Sequence, residues 1–522
     1  MRGAIAAGHE LTARAGASAL AAGGNAVDAA VAAGVMSWAA EPALTGPCGG
    51  GFLLIAPHRG TATLLDAFTA IPGRNLPPER KLTEIESVDV PFDARTTQVF
   101  HIGPANCAVP GAVAGLHAAH RRFGRLPWRD LVLPAAAAAQ EGVPTNPGQQ
   151  RVFEAIRVIL THTPETRELF APGGRFVEVG TPVRQVALAG SIEHLAEAPD
   201  DLYRGDLARA MVDYQAVTGG RLTMEDLAAY RPVWRRPLRV AVGSHQLATN
   251  PPPSSGGVLI AHMLSVLAAV GGDRESGSAG ELLVLAETMR AAARLRDRSF
   301  ARLLHRGGLA AHVLGPEARL HSVAAVMAAL RGVRRGAPLV HSDRGTTHIS
   351  VVDGEGTAVA FTASNGSHSG VIVPGTGLHL NNMMGEEDLA VGRHLAPGVR
   401  LTSMQAPTMV TRNGRLELVV GSSGSNRLRS AITQVVWNVI EHRMDVDSAV
   451  RHPRVHVEGD RLDCEGGFDP AELERLEGWG ELLNRFDGLN LYFGGANAVV
   501  VGADGALSAA GDPRRDCAGL VL

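Results

Sequence analysis

Aromatic residues make up only 4% of this 522-residue chain, so its interior cannot rest on large rings and must be built from small aliphatic side chains. Cysteine is as scarce. Cys48, Cys107, Cys464 and Cys517 are scattered without a CxxC pair, which excludes a disulfide framework and the common zinc sites and predicts inert, buried thiols. The 20 histidines contain no HExxH, and the neighbouring His442, His452 and His456 have no metal-ligand spacing. Neither a metal nor a cofactor is expected. Charge of one sign is missing too: a formal net charge of -3 supplies no field for nucleic acid or for an anionic membrane. No apolar run is long enough to span a bilayer, and MRGAIAAGHELTARAG lacks the basic stretch and apolar run of a secretory signal. The expectation is a cytoplasmic protein acting on a small molecule.

What is present is apolar and small. Hydrophobic residues reach 45%, and 62 glycines point to tight turns and closely packed layers. Residues 11–38 read as two alanine-rich helices, the first stopped by Gly23–Gly24–Asn25 and the second opened by Asn25 or Asp28. The glycines 49–51 feed an apolar strand at 52–55, with a partner strand at 61–68; without a following Gly-Lys-Ser/Thr they read as a turn rather than a phosphate loop. Residues 108–142 and 200–230 are mostly helical by period, and 251–257 is a loop into an apolar helix at 258–270. No GxSxG elbow surrounds Ser254 or Ser255, which read as capping or turn residues. The Arg-, Ala- and Gly-rich stretch 304–339 reads as an irregular linker. Beyond it, alternating runs at 347–352 and 358–362 flank an Asp-Gly-Glu-Gly turn, and further helices are expected at 430–442 and 470–477.

A linker that ends on Gly345–Thr346–Thr347 and becomes a strand at once suits a hydrolase whose nucleophile is a new N-terminus. Glycine leaves its carbonyl open to the neighbouring hydroxyl, and cleavage between Gly345 and Thr346 frees an α-amino group able to serve as the base for its own side chain. Taken alone, two threonines at a strand start are also what β-propensity places there.

Longer motifs bear on the choice. GGNAVDAAVAA (23–33), EPALTGPCGGGF (41–52), VPGAVAGL (109–116), DLAAYRPVWRRPL (226–238), PPPSSGG, TTHISVVDGEGTAVAFT, VPGTGLHLNNMM (373–384), LTSMQAPTMV (401–410), GSSGSNR (421–427) and GDPRRD (511–516) follow one another in the order and spacing of the γ-glutamyltransferase (glutathione hydrolase) family, which the chain resembles along nearly its whole length. The resemblance implies an α+β fold, the four-layer αββα sandwich of N-terminal-nucleophile hydrolases. It implies a large subunit 1–345 and a small subunit 346–522 from one precursor, intertwined into one globular unit and free to dimerise. It places the nucleophile at Thr346, a hydroxyl for the new amino terminus at Ser364, the oxyanion amides at Gly424 and Ser425, and a substrate-contacting asparagine at Asn365.

The chain departs from the family where substrate is read. Phe68 stands where glutathione-processing members carry an arginine for the substrate α-carboxylate, and an apolar ring supplies none of that bidentate pairing; Arg74 is the nearest candidate replacement. Met383 replaces a polar contact, Glu386 replaces the aspartate that takes the α-amino group, and Thr402–Ser403 replace a serine pair. Little chain remains between Glu386 and Thr402 for a lid, which favours hydrolysis over transfer. Three readings stay open: an amidase of γ-glutamyl or related small amides, an oxamate-type or cephalosporin-acylase-like amidohydrolase that does not use glutathione, and an unprocessed, inactive binding homologue.

Overall fold

The alternating runs after Thr346 fold into the paired strands Thr347–Asp353 and Ala358–Ser364, at the centre of a seven-stranded antiparallel sheet. The computed structural model describes residues 3–91, 97–272, 274–332, 345–385, 396–424 and 426–522. Across this first sheet the strands run Ala518–Val521, Gly3–Ala7, Thr347–Asp353, Ala358–Ser364, Gly50–Ala56, Thr63–Ala67 and Val233–Arg235. A second antiparallel sheet runs Leu507–Ala510, Gly495–Val501, Arg415–Ser423, Thr408–Arg412, His245–Thr249 and Leu238–Val242. Each sheet contains strands from both sides of Gly345, so segments 1–345 and 346–522 share both.

Side-chain alternation along these strands makes the layers. Phe52, Leu54, Val352, Ala358, Ala360, Val419 and Val499 meet between the sheets. Their neighbours Leu53, Ile55, Ile349, Val351, Val359 and Phe361 pack outward against one helical layer, while Leu418, Val420, Ala496 and Ala498 pack against the other. This is the expected αββα sandwich, and its antiparallel sheets with helices on the outer faces make it α+β.

Small residues set the spacing. Every residue of the helix Ala26–Ala40 is buried, and a Cβ on Gly34 would come within 2.8 Å of the Phe361 ring. Both proposed start signals of that helix operate: Asn25 accepts from the Val27 and Asp28 amides, and Asp28 accepts from the Asn25 amide, closing a capping box. The glycines 49–51 turn the chain into the strand Gly50–Ala56, as expected, the Gly49 amide closing onto Gly46 O at 3.0 Å. A Cβ on Gly50 would stand 2.9 Å from Ala67 O, and one on Gly49 2.5 Å from Ser364 O, so they let the neighbouring backbones, Ser364 among them, press close.

One expectation fails. The stretch 304–339 is not an irregular linker where it is described, because it holds the end of Arg298–Arg306 and all of Leu309–Leu314 and Pro316–Ala329. Its breakers lie between helices, with Gly307 and Gly308 at positive φ and Pro316 in a first turn where its missing N–H is harmless. Leu304, Leu309, Val313 and Val326 anchor these helices in the outer core; residues 333–344 lie outside the described residues. Ser254 and Ser255 serve as turn residues, as expected: the Ser254 amide donates to Pro251 O at 3.2 Å, Ser255 precedes the helix Gly256–Val270 without a side-chain cap bond, and both hydroxyls donate to the Ser403 carbonyl at 3.0 and 3.1 Å, tying their loop to residues 403–405.

Buried histidines give this fold an acid limit. Desolvation holds His9, His262 and His379 down to about 4 and His348 to about 3. An unfolded histidine takes up its proton near pH 6.5 while these do not, so their stabilisation is complete above pH 6.5 and is lost as pH falls toward 4. At pH 5 each costs about 2 kcal/mol. Glu41, raised to about 7 by burial, opposes them, since its neutral form is favoured by folding. The expected net result is a marked drop in melting temperature between pH 7 and pH 5, reduced by His262→Gln; a flat profile would contradict it.

Candidate active site

Thr346 is buried at the mouth of the strand Thr347–Asp353, and what surrounds it follows from the strand register. Thr347 pairs with Ala363, which brings Ser364, at the end of the adjacent strand, beside the Gly345–Thr346 peptide. The Ser364 hydroxyl accepts from the Gly366 amide at 2.9 Å and donates to the Gly345 carbonyl. The Gly345 carbonyl therefore already has a donor. Gly345 is sterically required, because a Cβ there would lie 2.5 Å from Gly366 O and 2.9 Å from Ala43 O. Beneath, the His348 ring bridges the Thr362 and Ser350 hydroxyls at 2.7 and 3.0 Å. Ser350 donates to Asn497 O, and Asn497 Nδ2 donates to His348 O. These bonds pin the strand that carries Thr346 to the second sheet.

From that sheet the strand Arg415–Ser423 brings the glycine-serine turn alongside. Gly424 has φ +110°, and a Cβ on it would come within 2.6 Å of Gly494 Cα, so the turn demands glycine. Its partner Ser425 lies outside the described residues. The helix Arg427–Ile440 follows directly, and its positive end is directed at this turn.

Two small cavities flank the Gly345–Thr346 bond. One is bounded by Thr346, Thr347, Ser423, Glu41, Arg515 and Cys517. The other, with a cavity volume of ≈ 40 Å³, is bounded by Gly345, Leu44, Ile156, Leu491, Arg427 and Arg515. The Glu41 carboxyl ends the helix Ala26–Ala40, accepts from Thr12 Oγ1 at 2.8 Å, and faces the Thr347 hydroxyl. A Cβ on Gly8 would collide with both Thr347 Oγ1 and Glu41 Oε2. Burial raises the Glu41 carboxyl to about 7. Glu41, Arg427 and Arg515 lie inside quoted motifs, yet no chemistry was assigned to them, since nothing local distinguishes a charged residue that lines a cavity from one that faces solvent.

Other substrate-reading candidates lie apart from these cavities. Phe68 is buried between the sheets, stacked on Phe52 at 5.3 Å, and Met383 shares that cluster. Both fill space. Neither bounds the two cavities. Thr402 and Ser403 are buried in the loop that pairs with the end of the Phe68 strand, where the Leu401 amide donates to Thr69 O. Asn365, next to Ser364, donates through Nδ2 to His379 O and contacts His368 Nδ1; its Oδ1 is enclosed without a partner. Arg74 does not replace the missing guanidinium, because it is exposed and lies over Gly398. Glu386 falls outside the described residues.

Comparison with known proteins bears on the family and the fold. The model of the family described as gamma-glutamyltranspeptidase matches residues 12–522. The chain is 34% identical to an acylase, the ACY 1 proenzyme of Pseudomonas sp. strain SE83, over 99% of this chain and 92% of that protein. It is 30% identical to the glutathione hydrolase proenzyme of Escherichia coli K12, over 94% and 87%. The crystal structure of a cephalosporin acylase from Bacillus halodurans superposes with a TM-score of 0.84 at 24% identity, covering 100% of this chain and 95% of that one, and so shares the fold.

Proposed function

Since the chain belongs to the gamma-glutamyltranspeptidase family and is an enzyme, we propose that it cuts itself between Gly345 and Thr346 and then hydrolyses a small amide through an acyl-enzyme on Thr346. The observation that carries this reading is the Ser364 hydroxyl donating to the Gly345 carbonyl beside a buried threonine. In maturation, Thr346 Oγ bonds to the Gly345 carbonyl carbon as the Gly345 C–N bond breaks, the hydroxyl proton passing to the departing nitrogen. Water hydrolyses the resulting ester. Gly345 is left as a carboxylate, and Thr346 as a free amine.

In turnover that amine accepts the Oγ proton, Oγ attacks the substrate carbonyl, and the amide groups of Gly424 and Ser425 hold the oxyanion. The amine returns its proton to the leaving group, and water releases the acid. Segment 1–345 then serves as a large subunit and 346–522 as a small one.

The substrate is a γ-glutamyl or related small amide, and Phe68 argues against glutathione itself. A ring packed on Phe52 gives a buried α-carboxylate no partner, which would cost several kcal/mol. The acylase and cephalosporin acylase names of similar proteins favour an acyl group without the amino-acid head. The short stretch between Glu386 and Thr402 leaves the acyl-enzyme open to water.

The test is a screen of purified, cut enzyme on glutathione, γ-glutamyl anilide, glutaryl anilide and oxamate. A non-glutamyl amide is expected to exceed glutathione by at least ~10-fold in kcat/KM, roughly what one missing charge-assisted pair is worth, with transfer to glycylglycine a minor product. Robust glutathione turnover, or transfer outpacing hydrolysis, would contradict the reading.

A further inference from the structure

The pocket around the scissile bond contains a cation that neither maturation nor acyl transfer uses. Arg515 lies between the two cavities flanking Gly345–Thr346 and bounds both. A methyl group on Gly424 would stand 3.7 Å from Arg515 Nη2, which puts the guanidinium against the turn that supplies the oxyanion amides.

Its own bonding is poor. Nη2 reaches Leu491 O at a long 3.4 Å, and Nε is enclosed with no hydrogen-bond partner. The acids nearest in sequence are engaged elsewhere. Asp512 binds Arg454 and Arg514, Glu465 binds Arg514, and Asp516 accepts from the Gly148 amide with Arg151 3.9 Å away. The same network explains why Arg515 stays in place: buried pairs fix the turn Pro513–Arg515, while Arg515 Cδ and Cγ pack against the backbone at Gly495. Arg427, on the far wall of the larger cavity, adds a second cation over the Tyr492 ring at 4.5 Å. The remaining walls named above, Leu44, Ile156 and Leu491, are apolar. Glu41, on the wall of the smaller cavity, also acts on this guanidinium, but burial favours the neutral form of its carboxyl; a buried guanidinium without an ion pair next to a reaction centre is costly to keep unless a ligand pairs with it.

We propose that Arg515 is the specificity-determining residue of this site, binding a carboxylate carried by the same small molecule as the amide under attack. This rests on the Thr346 reading and deepens it. Carboxylate recognition has moved from the Phe68 strand, where it would meet Phe52 and Met383, to the C-terminal turn beside Gly424. The substrate class is an amide with a second, anionic carboxylate and no need of an α-amino group, borne either on the acyl part or on the leaving amine.

Three amides separate these sources: glutaryl p-nitroanilide, with the carboxylate on the acyl part; 4-(butyrylamino)benzoate, with it on the amine; and neutral butyryl p-nitroanilide. Cut wild-type enzyme is expected to prefer one charged amide over the neutral one by at least ~10-fold in kcat/KM, the effect of a single charge-assisted pair. That preference should collapse in Arg515→Gln and return in part in Arg515→Lys. Free glutarate should inhibit the wild type competitively and glutaramide should not, which tests the pocket without any variant. If the wild type shows no preference and glutarate does not compete, or if Arg515→Gln matures and keeps the full preference, the proposal is overturned while the Thr346 reading stands. A wild-type chain that never splits overturns the reading beneath it.

Discussion

Replacing Thr346 with alanine leaves the chain in one piece and without amidase activity. The methyl group cannot attack Gly345, so no ester forms, no fragments separate on a denaturing gel, and no free α-amine appears beside residue 346. Two losses coincide, nucleophile and base, because both belong to one residue. The expected fall in turnover is therefore at least about 10⁴-fold, the scale seen when a covalent nucleophile is removed. Thr346→Ser provides the contrast: it keeps a hydroxyl and an amine and should still mature. Thr347→Ala is a second control. Thr347 points toward Glu41 and Gly8 on the helix side, so its loss should leave the site of cleavage unchanged. A Thr346→Ala chain that still splits between residues 345 and 346 would exclude Thr346 as the agent of cleavage.

The second large effect is expected at Ser364. Its hydroxyl is the described donor to the Gly345 carbonyl, and it is aimed by the Gly366 amide from the end of a fully buried strand. Removing one preorganised donor to a developing oxyanion typically slows the step by about 10²–10³-fold. Ser364→Ala should therefore accumulate as full-length precursor that converts slowly, followed as the decay of the full-length band over hours to days. Ser364→Thr keeps the hydroxyl and should mature near the wild-type rate. Conversion of Ser364→Ala as fast as the wild type would remove Ser364 from maturation.

Much of this was legible in the chain before any coordinates. Period-2 runs at 347–352 and 358–362 and the Gly-Gly-Asn stop are local signals, and local signals survive folding. Gly345 and Thr346 were legible for a similar reason: the chemistry needs those two residue types as neighbours. Ser364 came only through resemblance, because the contact that gives it a role spans two strands. The stretch 304–339 was misread because glycine and proline count the same in composition whether they interrupt a helix or separate two helices. Phe68 was legible as a missing arginine, but its stacking on Phe52 was not, because that contact spans two strands. It fills the space between the sheets rather than forming a wall of the described cavities. Arg515 and Glu41 were the least legible. They lie hundreds of residues apart, and they come together only because the C-terminal strand pairs with Gly3–Ala7 next to the strand that begins at Thr347.

That pairing gives the cut chain a reason to stay whole. Segment 346–522 supplies two central strands of the first sheet and one of its two edge strands, and segment 1–345 supplies the rest. Neither segment can bury its sheet face alone. After cleavage the halves should co-purify and melt together.

The most direct measurement of the central claim is the N-terminal sequence of the smaller fragment from freshly purified protein. The account predicts Thr-Thr-His-Ile, beginning at Thr346, paired with a larger fragment ending at Gly345. A chain that remains intact, or a fragment beginning at any other residue, would contradict it.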